Sequence, residues 1–212
     1  MKEKIKTIFQ TLMFVTIVAF IGAIWYGYNQ SVAKEQETIT NEVVETLEEI
    51  IVYEKPDFER ANNQTFINSV GQCVNYIFNT TTDIYPVNFE VLLAQAALES
   101  GWGNSRFALE GKNLFGIRTY DLREPHMLPS NKPKKWGVRV YQHECDSVQH
   151  YIDIINNGSA YKEYRKLRDN GVEDSLLYVE TLGAYAADKK YFPKLRSIIK
   201  KLRTEYDIPI LK

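Results

Sequence analysis

Cysteine is scarce in this chain. Cys73 and Cys145 are the only two among 212 residues. They show no C-x-x-C spacing and no His/Cys cluster with ligand spacing, so no metal site is expected. Two buried free thiols are the default reading of such a pair, and a disulfide is the alternative if the domain is exported. Histidine is also rare: His126, His143 and His150 are too far apart for a local metal motif and read as solvent-exposed. The 26 basic and 27 acidic residues leave a net charge of −1, with no excess to draw nucleic acid or an acidic polymer. There is no phosphate-cradling glycine loop, dinucleotide fingerprint or G-x-S-x-G elbow, so no cofactor is expected.

Charge itself is missing from Ile8 to Tyr28, a run of 21 residues. As a helix this run spans a hydrocarbon core. Lys2, Lys4 and Lys6 precede it, and Trp25, Tyr26 and Tyr28 close it, as an interfacial aromatic belt would. The segment 1–33 therefore reads as a single-pass membrane anchor with its N-terminus inside. A cleaved signal peptide is the rival, because Ser31-Val32-Ala33 offers small residues at the right place. Both readings put the remainder outside the cytoplasm, as an extracytoplasmic (periplasmic) domain.

Residues 34–56 form an acidic stretch with Ile39, Val43, Val44, Leu47, Ile50 and Ile51 at helical spacing, a spacer ended by Pro56. The compact domain is expected over 57–212. Helical periodicity marks Phe58–Phe78, a helix opened by Pro86, Cys145–Ile155, Tyr161–Arg168, Val172–Leu182 and Phe192–Tyr206. Between Ile117 and Gly137 the pattern dissolves around Pro125, Pro129 and Pro133, and Val138–Tyr141 alternates like a short strand. The fold class is thus mostly α, with one small irregular or β-containing lobe.

The stretch Leu92-Leu93-Ala94-Gln95-Ala96-Ala97-Leu98-Glu99-Ser100-Gly101-Trp102-Gly103 is apolar on nearly every side. A helix of this kind belongs inside a core. Gln95 and Glu99 alone interrupt it, one turn apart, before a glycine cap. Burial at the helix end disfavours the ionised carboxylate, which makes Glu99 a candidate general acid. The competing reading is a structural carboxylate satisfied by backbone amides or an arginine.

The block Ala94–Gly103, with Asn113-Leu114-Phe115-Gly116-Ile117 after it, resembles glycoside hydrolase family 73, the peptidoglycan β-N-acetylglucosaminidases. Arg139-Val140-Tyr141 with Ser147, Val148 and Tyr151, and Gly183–Asp188 through Tyr191, Lys194 and Leu195, fit the same family in order. Ala160-Tyr161 with Tyr164-Arg165 and Leu167-Arg168 is similar to its bacterial Bax-like branch. The resemblance covers about residues 60–205. It implies a lysozyme-like helical fold with a sugar groove, peptidoglycan glycan strands as partner, and Glu99 as the acid that protonates the glycosidic oxygen.

A second carboxylate is the family's usual companion to that acid. Only Asp121 and Glu124 lie in this lobe, and Glu124 matches by position. The substrate's own N-acetyl group is the alternative, with Tyr185 orienting that group or a water. Trp102, Asn113, Phe115 and Tyr191 are candidate substrate contacts. Each has a packing alternative: a plug for Trp102, a turn for Asn113, core for Phe115 and Tyr191. Gln95 reads as a buried polar anchor. The expected activity is cleavage of β-1,4 bonds in cell-wall glycan, with a lytic transglycosylase or an inactive wall-binding module as rivals.

Overall fold

The computed structural model describes residues 19–40, 53–129, 135–185 and 190–211. They fall into two units, one within residues 1–52 and one from Tyr53 onward. The first contains α1, a helix over 19–40 whose side chains are all exposed. It runs through Ala33 and Lys34 without a break, so the expected anchor and spacer share one helix there. Residues 8–18 of the expected span and 41–52 of the expected spacer lie outside the described residues. Among the described residues, no helix is long and apolar enough to cross a membrane.

The second unit is built from helices whose ends are set by local chemistry. α2 (Asn63–Thr80) begins at Asn62, whose side chain accepts from Thr65 N while the Thr65 hydroxyl accepts from Asn62 N. This capping box starts the helix later than the Phe58 that periodicity suggests. Phe58 instead packs edge-on against Phe66, with centroids 5.9 Å apart. α3 (Phe89–Ser100) is capped by the Asn88 side chain, so Pro86 lies before it and not in its first turn. A short α4 (Arg106–Leu109) follows, then strands β1 (Arg118–Thr119), β2 (His126–Met127) and β3 (Gly137–Arg139). These form the small lobe as an antiparallel sheet of order β1-β3-β2, pairing Arg118 with Val138 and Met127 with Val138. Residues 130–134, including Pro133, lie outside the described residues.

α5 (Glu144–Asn157) is followed by a 3-10 turn (Ser159–Tyr161), α6 (Lys162–Asp169), α7 (Ser175–Val179), a second 3-10 turn (Glu180–Leu182) and α8 (Tyr191–Glu205). The single helix expected over Val172–Leu182 starts later, because the Asp174 side chain caps at Leu176 N, and its last three residues form the second 3-10 turn. His143 caps α5 by accepting from Cys145 N, and His150 hydrogen-bonds the Tyr141 hydroxyl at 2.8 Å. With His126 they are half-buried, a correction to their reading as solvent-exposed. Imidazole is amphipathic, and each ring is engaged by one polar neighbour.

The core gathers around α3, where Val91 to Ala97 are all buried. α8 packs on it and α2 packs on α5, with Leu195, Ile199 and Leu202 of α8, Val70 and Val74 of α2, and Ile152 and Ile155 of α5 all buried. Each fully buried Leu or Ile contributes roughly 1.5–3 kcal/mol. Cys73 of α2 and Cys145 in the first turn of α5 are joined by a disulfide across 72 residues. The reading of two free thiols is corrected by this pairing, since the packing of α2 on α5 brings the two buried sulfurs together. Beside it Glu144, only 3% exposed, pairs with Arg60 and with Lys112 at 3.2 Å. Burial alone would raise its pKa, but the Arg60 hydrogen bond and charge together with Lys112 hold it below the ordinary glutamate value.

Candidate active site

α3 ends in a sharp turn that leaves Glu99 at the edge of the core. Gly101 takes the left-handed conformation at φ 56°, and its N–H bonds back to Ala97 O. The Ser100 hydroxyl donates to Ala96 O and accepts from Gly103 N, which locks the helix end. Glu99 then lines a groove of about 630 Å³ with Phe115, Gly116, Arg118, Tyr120 and Tyr185, and with Tyr161 at its wall. Gly116 also has positive φ, +64°, and a Cβ placed there would lie 3.8 Å from Glu99 Oε2.

The carboxyl of Glu99 is held above its usual pKa. Burial is the main cause; a hydrogen bond from Tyr191 and the charges of Arg118 and Lys194 pull the other way without cancelling it. Tyr191 in turn accepts from Gln95 Nε2 at 2.7 Å, and Gln95 Oε1 accepts from the Tyr151 hydroxyl. Burial and the nearby Glu99 charge both push the hydroxyls of Tyr185 and Tyr191 upward, so both stay protonated donors at neutral pH.

Of the residues singled out from sequence, Glu99, Phe115 and Tyr185 meet in this groove. Tyr185 donates to Phe115 O at 2.8 Å and its ring stacks near Tyr191. Phe115 is 1% exposed and stacks on Tyr151 at 4.3 Å, so its ring belongs to the core beneath the groove. Asn113 is consumed by the turn. Its amide donates to Ile117 O and Arg139 O, and its carbonyl accepts from Phe115 N and Ile117 N. Trp102 packs between Phe66 and Tyr206 rather than lining the groove. Glu124 is paired with Arg139 at 2.6 Å, also accepts from the Thr119 hydroxyl, and is not among the groove-lining residues. Asp121 forms an exposed pair with Arg123. Residues 186–189 of the tyrosine block lie outside the described residues.

Arg118 and Tyr120 line the groove without having been singled out from sequence. Arg118 lies over the Trp136 ring at 4.1 Å and carries a fixed positive charge near Glu99. Their place two and four residues after Gly116, on one face of an extended segment, is the signal that marks them. One group of three metal-capable residues, Cys73, His143 and Cys145, occurs among the described residues, and its two sulfurs are spent on each other.

Residues 75–204 match the family described as mannosyl-glycoprotein endo-beta-N-acetylglucosaminidase. The chain belongs to the glucosaminidase family. This is the family, one of glycoside hydrolases, that the ordered motifs from Ala94 to Leu195 resemble. Among relatives of this glucosaminidase domain is the exo-glucosaminidase LytG of Bacillus subtilis, 28% identical over 173 residues, 76% of this chain and 60% of LytG. Protein bax of Escherichia coli is 34% identical over 87 residues, 41% of this chain and 29% of that protein. The chain thus spans less than two thirds of either relative. The solved catalytic domain of the autolysin Auto from Listeria monocytogenes superposes with a TM-score of 0.51 at 25% identity, covering 79% of this chain and 94% of that domain.

Proposed function

We propose that this chain is a peptidoglycan hydrolase that cleaves the β-1,4 glycosidic bond following N-acetylglucosamine in cell-wall glycan strands, with Glu99 as general acid. The observation that carries the reading is the Glu99 carboxyl itself: it opens into the groove from the end of a buried helix, and burial raises its pKa above the ordinary glutamate value, as a general acid requires. A glycan strand laid in the groove would present its bridging oxygen to that carboxyl. Glu99 would give up its proton as the bond from the sugar C1 breaks, the departing sugar would keep the oxygen as a hydroxyl, and a water would give its hydroxyl to C1 and its remaining proton to the Glu99 carboxylate, restoring the acid. General acid catalysis of this kind is worth roughly 10²–10⁴-fold. The family membership and the names of LytG, an exo-glucosaminidase, and of the FlgJ proteins, peptidoglycan hydrolases, support the substrate class.

For the second step, two arrangements are open to this chain. Glu124 serves as the partner carboxylate if the small lobe brings it inward from its pair with Arg139. The substrate N-acetyl group serves instead if Tyr185 orients it. The position of Tyr185 in the groove, against the engagement of Glu124 with Arg139 and Thr119, favours the second arrangement. Trp102, Asn113 and Tyr191 then act by shaping the groove rather than by touching sugar. Mass spectrometry of products from purified peptidoglycan tests the reaction. Hydrolysis releases fragments with N-acetylglucosamine at a new reducing end, one water heavier than the anhydro products of a transglycosylase; bound glycan without any fragments would mark a binding module. Glu124→Gln at the parental rate with Tyr185→Phe impaired is the pattern expected; the reverse pattern assigns the step to Glu124.

We further propose that residues 8–28 anchor the domain outside the cytoplasm, supported by the uncharged run and by a disulfide that suits an oxidising compartment. Retention in the membrane pellet after alkaline wash, with the domain open to added protease, is the expected result. A protein released by the wash contradicts the anchor.

A further inference from the structure

Behind Glu99 runs a chain of three polar side chains that take no part in the chemistry of the proposed reaction. The Tyr151 hydroxyl donates to Gln95 Oε1, Gln95 Nε2 donates to the Tyr191 oxygen at 2.7 Å, and Tyr191 bonds Glu99. Gln95 and Tyr151 are both fully buried, Tyr191 is 5% exposed, and a buried amide left unpaired would be costly. Direction is fixed from the far end. A tyrosine hydroxyl has one proton, and that of Tyr151 is spent on Gln95 Oε1. The amide must then turn its N–H to Tyr191. With its oxygen already accepting there, the one proton of Tyr191 is left for Glu99.

We propose that Gln95 is a positioning residue: held by Tyr151, it aims the Tyr191 hydroxyl proton at one oxygen of Glu99 and so leaves the acid proton on the other, groove-facing oxygen. The same donor then receives the negative charge once that proton has gone to the glycan. If the amide were reversed, Tyr191 would donate to Gln95 and could only accept from Glu99, and the acid proton would be drawn into the protein. Among the described residues, Lys194, also on α8, Arg118 on β1 and Tyr185 from the segment after the second 3-10 turn also act electrostatically on Glu99 and its surroundings.

The inference rests on Glu99 as the acid, and a readout independent of activity separates the two. In the full chain with ¹³C-labelled glutamate carboxyls, Glu99 is assigned as the resonance missing from Glu99→Gln and titrated directly. Tyr191→Phe removes the donor and raises the Glu99 midpoint by about one unit. Gln95→Met keeps the volume but neither donates nor accepts; it raises the midpoint in the same direction, lowers kcat with KM unchanged, and moves the basic limb of the kcat profile upward. In Gln95→Met/Tyr191→Phe the rise equals that of Tyr191→Phe alone, because one relay cannot be cut twice. A purely structural Gln95 would lower the melting temperature and leave the titration where it was, which overturns the proposal. If Gln95→Met does not fold, Tyr151→Phe frees the amide to reverse: a raised Glu99 midpoint supports the relay and an unmoved one overturns it. Should Glu99→Gln keep full activity, the functional reading fails, and the titrations still decide the relay.

Discussion

Cutting the Cys73–Cys145 bridge is the perturbation whose size follows most directly from the fold. The bridge closes a loop of 72 residues and ties α2 to the start of α5. Restricting the unfolded chain over such a loop is worth about 4 kcal/mol in the chain-entropy account. For a domain of this size each kcal/mol corresponds to roughly 2–4 °C in melting temperature, so the loss amounts to roughly 8–16 °C. Cys73→Ala/Cys145→Ala should show this drop, and the parent treated with reductant should show a similar one, since 0% and 1% exposure leaves little room for the freed thiols to find water. Circular dichroism melts with and without dithiothreitol measure it, and thiol titration in denaturant counts the free sulfurs. Two titratable thiols in the untreated protein, or a melt indifferent to reductant, would refute the reasoning.

Three other outcomes follow from the packing around the groove and the bridge. Glu144→Gln strips the charge from a carboxylate paired with Arg60 and Lys112, and should cost about 3 kcal/mol in urea unfolding at neutral pH. Because the folded carboxyl lies below its ordinary pKa, its contribution is present above the unfolded value and is lost as pH falls through the folded one; the two proteins should converge in acid. Glu99 has the opposite sign. Its raised folded value means stability that is full below the unfolded pKa and lost as pH rises through the folded one, so Glu99→Gln should melt higher than the parent at pH 8 and equally near pH 4. Gly116→Ala forces a side chain into a left-handed backbone beside Glu99 Oε2, costing about 1–2 kcal/mol in melts and lowering turnover.

Much of this fold was legible in sequence because its helices obey a 3.6-residue period and bury the apolar face it predicts. α3 is the clearest case: its all-round apolarity is that of a helix buried from Val91 to Ala97, and its Gly101 cap lies where the glycine pair stands. Boundaries were less legible, since Asn62, Asn88 and Asp174 decide them through side-chain bonds that a hydrophobic pattern does not register. The disulfide depended on two helices meeting, which spacing along the chain cannot disclose. At the site, Glu99 was legible as a carboxyl in an apolar helix and Asn113 as a turn residue. Arg118 and Tyr120 were hidden in a lobe without periodicity, and Gln95 only gains a role once Tyr151 and Tyr191 are brought to it from α5 and α8.

The central claim concerns one carboxyl, and the rate of fragment release from purified peptidoglycan by Glu99→Gln tests it most directly. The parent and variant share a fold if their melts remain cooperative and the Gln variant is the more stable at pH 8. A loss of about 10²–10⁴-fold in release, with glycan binding retained, is the predicted result. Release at the parental rate would contradict Glu99 as the general acid.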